Sequence, residues 1–99
     1  VISYTRRAAA LISGLLDHYE TKERPEAMQG LLRALHDAWA EIENNPAAGL
    51  PAPRPYPALA RPGQFWVKAG RYWVGFRRQP ALIITAVYYD AADIPGRLD

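Results

Sequence analysis

The chain has 99 residues, 49% of them hydrophobic and 22% charged, which gives one domain with one modest core and excludes the disordered class. There is no cysteine, so a disulfide framework and thiolate metal sites are excluded. Net charge is +2, unevenly placed: residues 1–50 carry five Lys/Arg and seven Asp/Glu, whereas residues 51–99 carry seven and three. The basic half would suit an acidic partner, nucleic acid or protein; on charge alone, an ordinary solvated sheet face is the alternative. The longest apolar runs, such as Ala8 to Ile12, fall far short of the roughly 20 residues that span a bilayer. Arg6 and Arg7 are not followed by the long apolar region of a signal peptide, so a cytoplasmic domain without membrane contact is expected.

In chain order, Val1-Ile2-Ser3-Tyr4 reads as a short strand, and Thr5 can cap the helix that follows. From Arg6 to about Glu20, Ala8, Leu11, Ile12, Leu15, Leu16 and Tyr19 recur at helical spacing. Thr21 to Arg24 is a polar break. Pro25 then suits a first helical position, and Glu26 suits the positive end of the helix dipole. The second helix carries an apolar stripe of Met28, Leu31, Leu32, Leu35, Ala38, Trp39 and Ile42. Gly30, inside it, predicts close packing against a neighbour. Asn44-Asn45-Pro46 ends the helix, and the short break between the two stripes predicts an antiparallel helical hairpin.

Six of the nine prolines lie in residues 46–62, which predicts an extended, stiff crossover from helix to sheet. The last third reads as β. Gln64 to Lys68, Arg71 to Arg77 and Leu82 to Tyr88 are rich in aromatic and branched residues, with turn signals at Ala69-Gly70 and Arg78-Gln79-Pro80. In the middle strand Tyr72, Val74 and Phe76 share the face expected to meet the helices. Arg71, Trp73, Gly75 and Arg77 share the other, expected to be accessible. The polar tail Asp90 to Asp99, with Pro95-Gly96, argues against a long final helix. The expected architecture is a single α+β domain over residues 1–99: an N-terminal strand, a helical hairpin, then a curled antiparallel sheet of about three more strands.

Few constellations point to chemistry. His18 and His36 fall on different helices with no HExxH, so no metal or other cofactor is expected. Ser3 and Ser13 lack a nucleophile-elbow context, Gly70 and Gly75 belong to no phosphate loop, and Asp90 and Asp93 have no mark of an acid–base couple. What remains is a set of cations interleaved with aromatics: Lys68, Arg71, Trp73, Arg77, Arg78, Tyr88 and Tyr89. Cations suit phosphate or carboxylate oxygens, and aromatic rings supply stacking area and interface anchors. The same residue types would serve metal-independent RNA cleavage, and aromatics in a small sheet also simply fill a core.

The order and spacing of several pieces resemble the RelE/ParE family of toxins from bacterial type II toxin–antitoxin systems. These pieces are Tyr4-Thr5-Arg6-Arg7-Ala8-Ala9-Ala10-Leu11, Arg24-Pro25-Glu26-Ala27, Asn45-Pro46, Val67-Lys68-Ala69-Gly70-Arg71-Tyr72, Val87-Tyr88-Tyr89 and Asp93-Ile94-Pro95-Gly96. The resemblance spans nearly the whole chain. It implies a protein that arrests growth unless a cognate antitoxin wraps it in a hetero-oligomer, a device for plasmid stabilization. One branch of the family cleaves mRNA on the ribosome; the ParE-like branch inhibits DNA gyrase without being an enzyme.

Departures from the nuclease pattern favour the ParE-like branch. Tyr72 is followed by Trp73 where RelE-like nucleases place an arginine. Gln64 and Trp66 stand on the preceding strand where lysines are usual, and Ala91-Ala92 replaces a basic pair. A nuclease without metal needs those cations on the scissile phosphate. The expected function is therefore gyrase inhibition relieved by an antitoxin, with Lys68, Arg71, Trp73, Arg77, Arg78, Tyr88 and Tyr89 as the contact set. The alternatives are a ribosome-dependent endoribonuclease using Lys68, Arg71, Arg77 and Tyr89, or a non-toxic binding member of the family.

Overall fold

In the computed structural model, residues 2–45, 47–53, 57 and 60–89 are described. The expectations for Pro46 and Pro55, for the tail Asp90–Asp99, and for Asp90, Asp93 and Ala91-Ala92 within it, lie outside the described residues. The elements are α1 (Arg6–Thr21), α2 (Pro25–Asn44), β1 (Phe65–Ala69), β2 (Tyr72–Arg77) and β3 (Ile83–Tyr89). The strands form an antiparallel sheet in the order β1-β2-β3. No helix among the described residues is long and apolar enough to cross a membrane.

Local chemistry sets the helix ends. Thr5 has extended backbone, and its hydroxyl accepts from the Ala8 amide at 3.1 Å, capping α1. At the other end the Arg24 amide donates to Tyr19 and the Glu23 amide to Glu20, the paired bonds of a Schellman turn. Glu23 holds the left-handed position (φ 53°) that glycine usually fills, a strained conformation for a side chain. Pro25 then starts α2 without wasting a donor, with Glu26 in the first turn.

The C-terminus of α2 has no basic residue of its own in the last turn. Arg78, beyond β2, supplies the charge instead: its guanidinium donates to the carbonyls of Ile42 at 2.9 Å and Asn45 at 2.8 Å. It also lies 5.3 Å from the centroid of the Phe76 ring. This clamp ties the hairpin to the sheet.

Among the described residues the anticipated N-terminal strand is not formed. Residues 2–5 make one parallel bridge, Tyr4 to Ile84, held by Thr5 N–H to Ile84 O at 2.9 Å and Ile84 N–H to Ser3 O at 3.0 Å. Helix α1 begins at Arg6, which stops the ladder on that side. Tyr4 is largely exposed there, and its partial burial raises its phenol pKa from the ordinary tyrosine value.

Tyr72, Val74 and Phe76 meet the helices as expected, in a core with Leu31, Leu35, Ala38, Ile42, Ile84 and Val87. Each large apolar side chain fully buried there contributes roughly 1.5–3 kcal/mol. The stripe of α2 is narrower than its pattern: Leu32 is 53% exposed, and Ala34 is buried instead.

The opposite face of the sheet differs from its expected accessible state. Trp66, Trp73, Ala86 and Tyr88 form a second small core with Ala52, and Leu11 and Leu50 pack against it. The chain after α2 covers this face by pairing Leu50 with Trp66 on the outer edge of β1, through bonds of 2.7 and 2.8 Å. Gly75 is the notch that lets the Trp66 ring cross β2, since a Cβ there would lie 3.1 Å from the ring and 2.6 Å from Gln64 Nε2. The β2–β3 ladder shifts register between Gly75 and Phe76, where Thr85 of β3 is the extra residue of a bulge.

Candidate functional site

A cleft of about 1060 Å³ lies between α1 and α2, floored by the end of the sheet. Helix α1 contributes Ala10, Gly14 and His18 to one wall, at intervals of four residues; α2 contributes Ala27, Gly30, Ala34 and Asp37 to the other. Leu11, Leu15 and Tyr19 of the α1 stripe line the same space, and Ala34 belongs to the core as well. Gly14 and Gly30 send no side chain into the cleft, which stays open above them.

The floor is aromatic. The hydroxyls of Tyr19, at the end of α1, and Tyr72, at the start of β2, are hydrogen-bonded to each other and buried. Tyr89 packs edge-on against Tyr72 with ring centroids 5.7 Å apart. The β1–β2 turn closes one end. Its two loop residues are Gly70 and Arg71, with Gly70 at φ 58°, as a glycine at the first central position of a II′ turn would be.

The rim carries Arg24, Arg33, Arg71 and His18, with Glu26 and Asp37 as the acids. Arg24 and Glu26 form a long, exposed ion pair at 3.9 Å, worth little in water. Arg33 and Arg71 are exposed and have no ion-pair partner among the described residues. The rim is therefore net positive and faces solvent.

The residues singled out from sequence are dispersed. Arg71 and Tyr89 line the cleft, and Tyr88 borders it. Trp73 and Tyr88 are each only 3% exposed, so they build the second core and do not offer ring faces to a partner. Tyr88 also receives a long hydrogen bond, 3.5 Å, from Arg7. Lys68 is exposed on the same sheet face, its Nζ 6.0 Å from the Trp73 ring centroid. Arg77 is exposed at the far end of β2, roughly 20 Å along the strand from Arg71 at about 3.3 Å per residue. Arg78 is engaged with the end of α2.

The four residues considered for RNA cleavage accordingly do not converge. Arg71 and Tyr89 share the cleft, Lys68 belongs to the other sheet face, and Arg77 is a strand length away. His18 packs against Tyr19 at 5.8 Å, and His36 is exposed elsewhere on α2. Among the described residues no group of three or more His, Cys, Asp or Glu could hold a metal ion.

Sequence reasoning missed most of the cleft: Arg24, Arg33, Asp37, Tyr19 and the two helix glycines. The signal that could have found it is the second row of small residues on each helix, Ala10-Gly14 and Ala27-Gly30-Ala34. It is legible only once the two rows are known to face each other. In comparisons with known proteins, no family model and no curated protein matches the chain.

Proposed function

We propose that this chain is the toxin component of a type II toxin–antitoxin system, of the ParE-like kind: it acts by gripping DNA gyrase, and a cognate antitoxin neutralises it. The observation that carries this reading is the cleft, an open, positively rimmed trough between two helices over an aromatic floor. Such a trough suits an amphipathic helix of a protein partner, whose apolar face would bury against Tyr89, Leu11 and Leu15 while its flanks meet the arginines. The dispersal of Lys68, Arg71, Arg77 and Tyr89 favours a binding role over metal-free RNA cleavage, which requires cations and a proton carrier around one phosphate. The family resemblance in the order of helices, turn and strands supplies the toxin–antitoxin context.

The test is to induce the chain alone in a bacterial host and follow growth, DNA damage signalling and mRNA integrity together. Growth arrest with an SOS response and intact mRNA is the expected result. Arrest with cleaved mRNA would replace gyrase by the ribosome as target. Unimpaired growth with folded protein in the cell would leave a binding protein without toxicity.

A further inference from the structure

Little attaches the chain that covers the face of the sheet away from the helices. Residues 47–53 leave the end of α2 at Asn45, whose carbonyl accepts from the Ala48 amide at 2.9 Å and whose Oδ1 accepts from the Ala47 amide at 3.1 Å. Arg78 holds the same carbonyl from the other side. Beyond that anchor, the backbone bonds between this segment and the sheet among the described residues are the two of the Leu50–Trp66 bridge. Its buried side chains, Ala48, Ala52 and Pro53, are small. Leu50 and Ala52 are what it lays on Trp66, Trp73 and Tyr88. The stacking of Trp66 on Tyr88, the Gly75 notch beneath Trp66 and the cover from Leu11 of α1 do not depend on it.

We infer that residues 47–53 are a strap that opens as a unit while both helices and the sheet stay folded, and that opening turns the face beneath from core into an accessible aromatic surface. Two observations carry this. Lifting the strap breaks two backbone bonds, which water replaces, and withdraws only small side chains and one leucine from the rings. It therefore costs far less than separating the strands or the helices. Closing the strap also carries a penalty. The indole N–H of Trp66 lies buried without an acceptor among the described residues, and water admitted beside the ring supplies one. The anchor at Asn45 holds in either state, because Arg78 clamps the end of α2 from just beyond β2. The uncovered surface joins Trp73 and Tyr88 to the exposed Lys68, three of the residues that sequence places in the contact set. The inference stands independently of the toxin–antitoxin reading.

The test is native-state hydrogen exchange on the full chain, read residue by residue by NMR. The amides of Leu50 and Trp66 and the Trp66 indole N–H should be protected on the order of 100-fold less than the amide of Val74 in the middle strand. Ala10→Gly, on the exposed side of α1, separates local opening from global unfolding. It should cut the protection of Val74 about 5-fold, through the helix propensity lost, and leave the strap set unchanged. Strap protection that equals that of Val74, or that falls with it in Ala10→Gly, would mean that the strap lifts only when the whole domain unfolds and would overturn the inference. Gly49→Ala supplies a second readout. Gly49 has φ 111°, and a Cβ there would lie 2.8 Å from Phe76 Cζ, a clash that an open strap avoids. The variant should stay folded by circular dichroism, with its tryptophans more open to acrylamide quenching than in wild type. A folded variant with unchanged quenching would overturn the uncovering of the rings, and loss of the whole fold would overturn the independence of the strap.

Discussion

On the helix side of the sheet, Tyr72 is buried beneath the helices and only Tyr89 beside it is part-exposed to an open cleft, whereas on the other side Trp66, Trp73 and Tyr88 close upon one another. Both faces are aromatic, and both have cations nearby. What separates them is the covering chain. Gly14 and Gly30 send no side chain into the cleft, so it stays open above Tyr89, while Tyr19 and Tyr72 lie buried at its base. The segment after α2 binds directly to the edge of β1 through Leu50 and brings Ala52 down on the indoles. An aromatic side chain thus becomes core, as Tyr72 and Trp73 do, or stays part-exposed, as Tyr89 does, according to what the chain lays across it.

The closed face is not free of cost. The indole N–H of Trp66, on a residue only 2% exposed, has no hydrogen-bond acceptor among the described residues. An unsatisfied buried donor costs roughly 1–3 kcal/mol. The ring contacts outweigh it: Trp66 and Tyr88 stack at 6.3 Å between centroids, and three large aromatic side chains leave water together.

The sharpest way to break this comparison is Trp73→Ala. If the residue is core, truncation should cost about 3–5 kcal/mol, a large part of the stability of a domain this size. Urea unfolding would read it, and a loss below about 1 kcal/mol would return Trp73 to the contact surface where sequence alone placed it.

A smaller effect is expected at the floor of the open face. Tyr72→Phe strands the buried Tyr19 hydroxyl and should cost about 1–3 kcal/mol, while adding Tyr19→Phe should recover part of that loss by removing the orphaned group. Additive single losses in that double-mutant cycle would mean that the two hydroxyls do not act as a pair.

The smallest effect belongs to the rim. Arg33→Ala and Arg71→Ala should each change stability by no more than about 0.5 kcal/mol, because exposed and unpaired cations do little for a fold. A larger loss for either would show that the rim supports the hairpin and is not held ready for a partner.

Much of this architecture is legible from the residues. Thr5, Pro25 and Asn44-Asn45 mark helix ends because capping and proline chemistry are local, and all three boundaries fall within one residue of their expected places. The strands are likewise displaced by a single residue at most, since alternation and the Ala69-Gly70 turn are short-range signals. The expected N-terminal strand is the exception at this level: among the described residues it is a single bridge at Tyr4, because the cap at Thr5 turns the chain into α1.

The tertiary structure decided which sheet face is covered and where the cations go. Alternation assigns Trp73 to the face away from the helices but says nothing about whether residues 47–53 will fold across it. Arg78 sits next to Arg77 in sequence and looks equally available. Yet its guanidinium reaches the end of α2, satisfying carbonyls some thirty residues back, because helix termini draw cations from whatever chain lies near them in space. The cleft has the same origin: each of its walls is written in one helix, but the space between them exists only once the fold brings α1, α2 and the sheet end together. Periodicity and capping depend on neighbours along the chain, so the sequence determined the elements; covering, clamping and opening depend on neighbours across it.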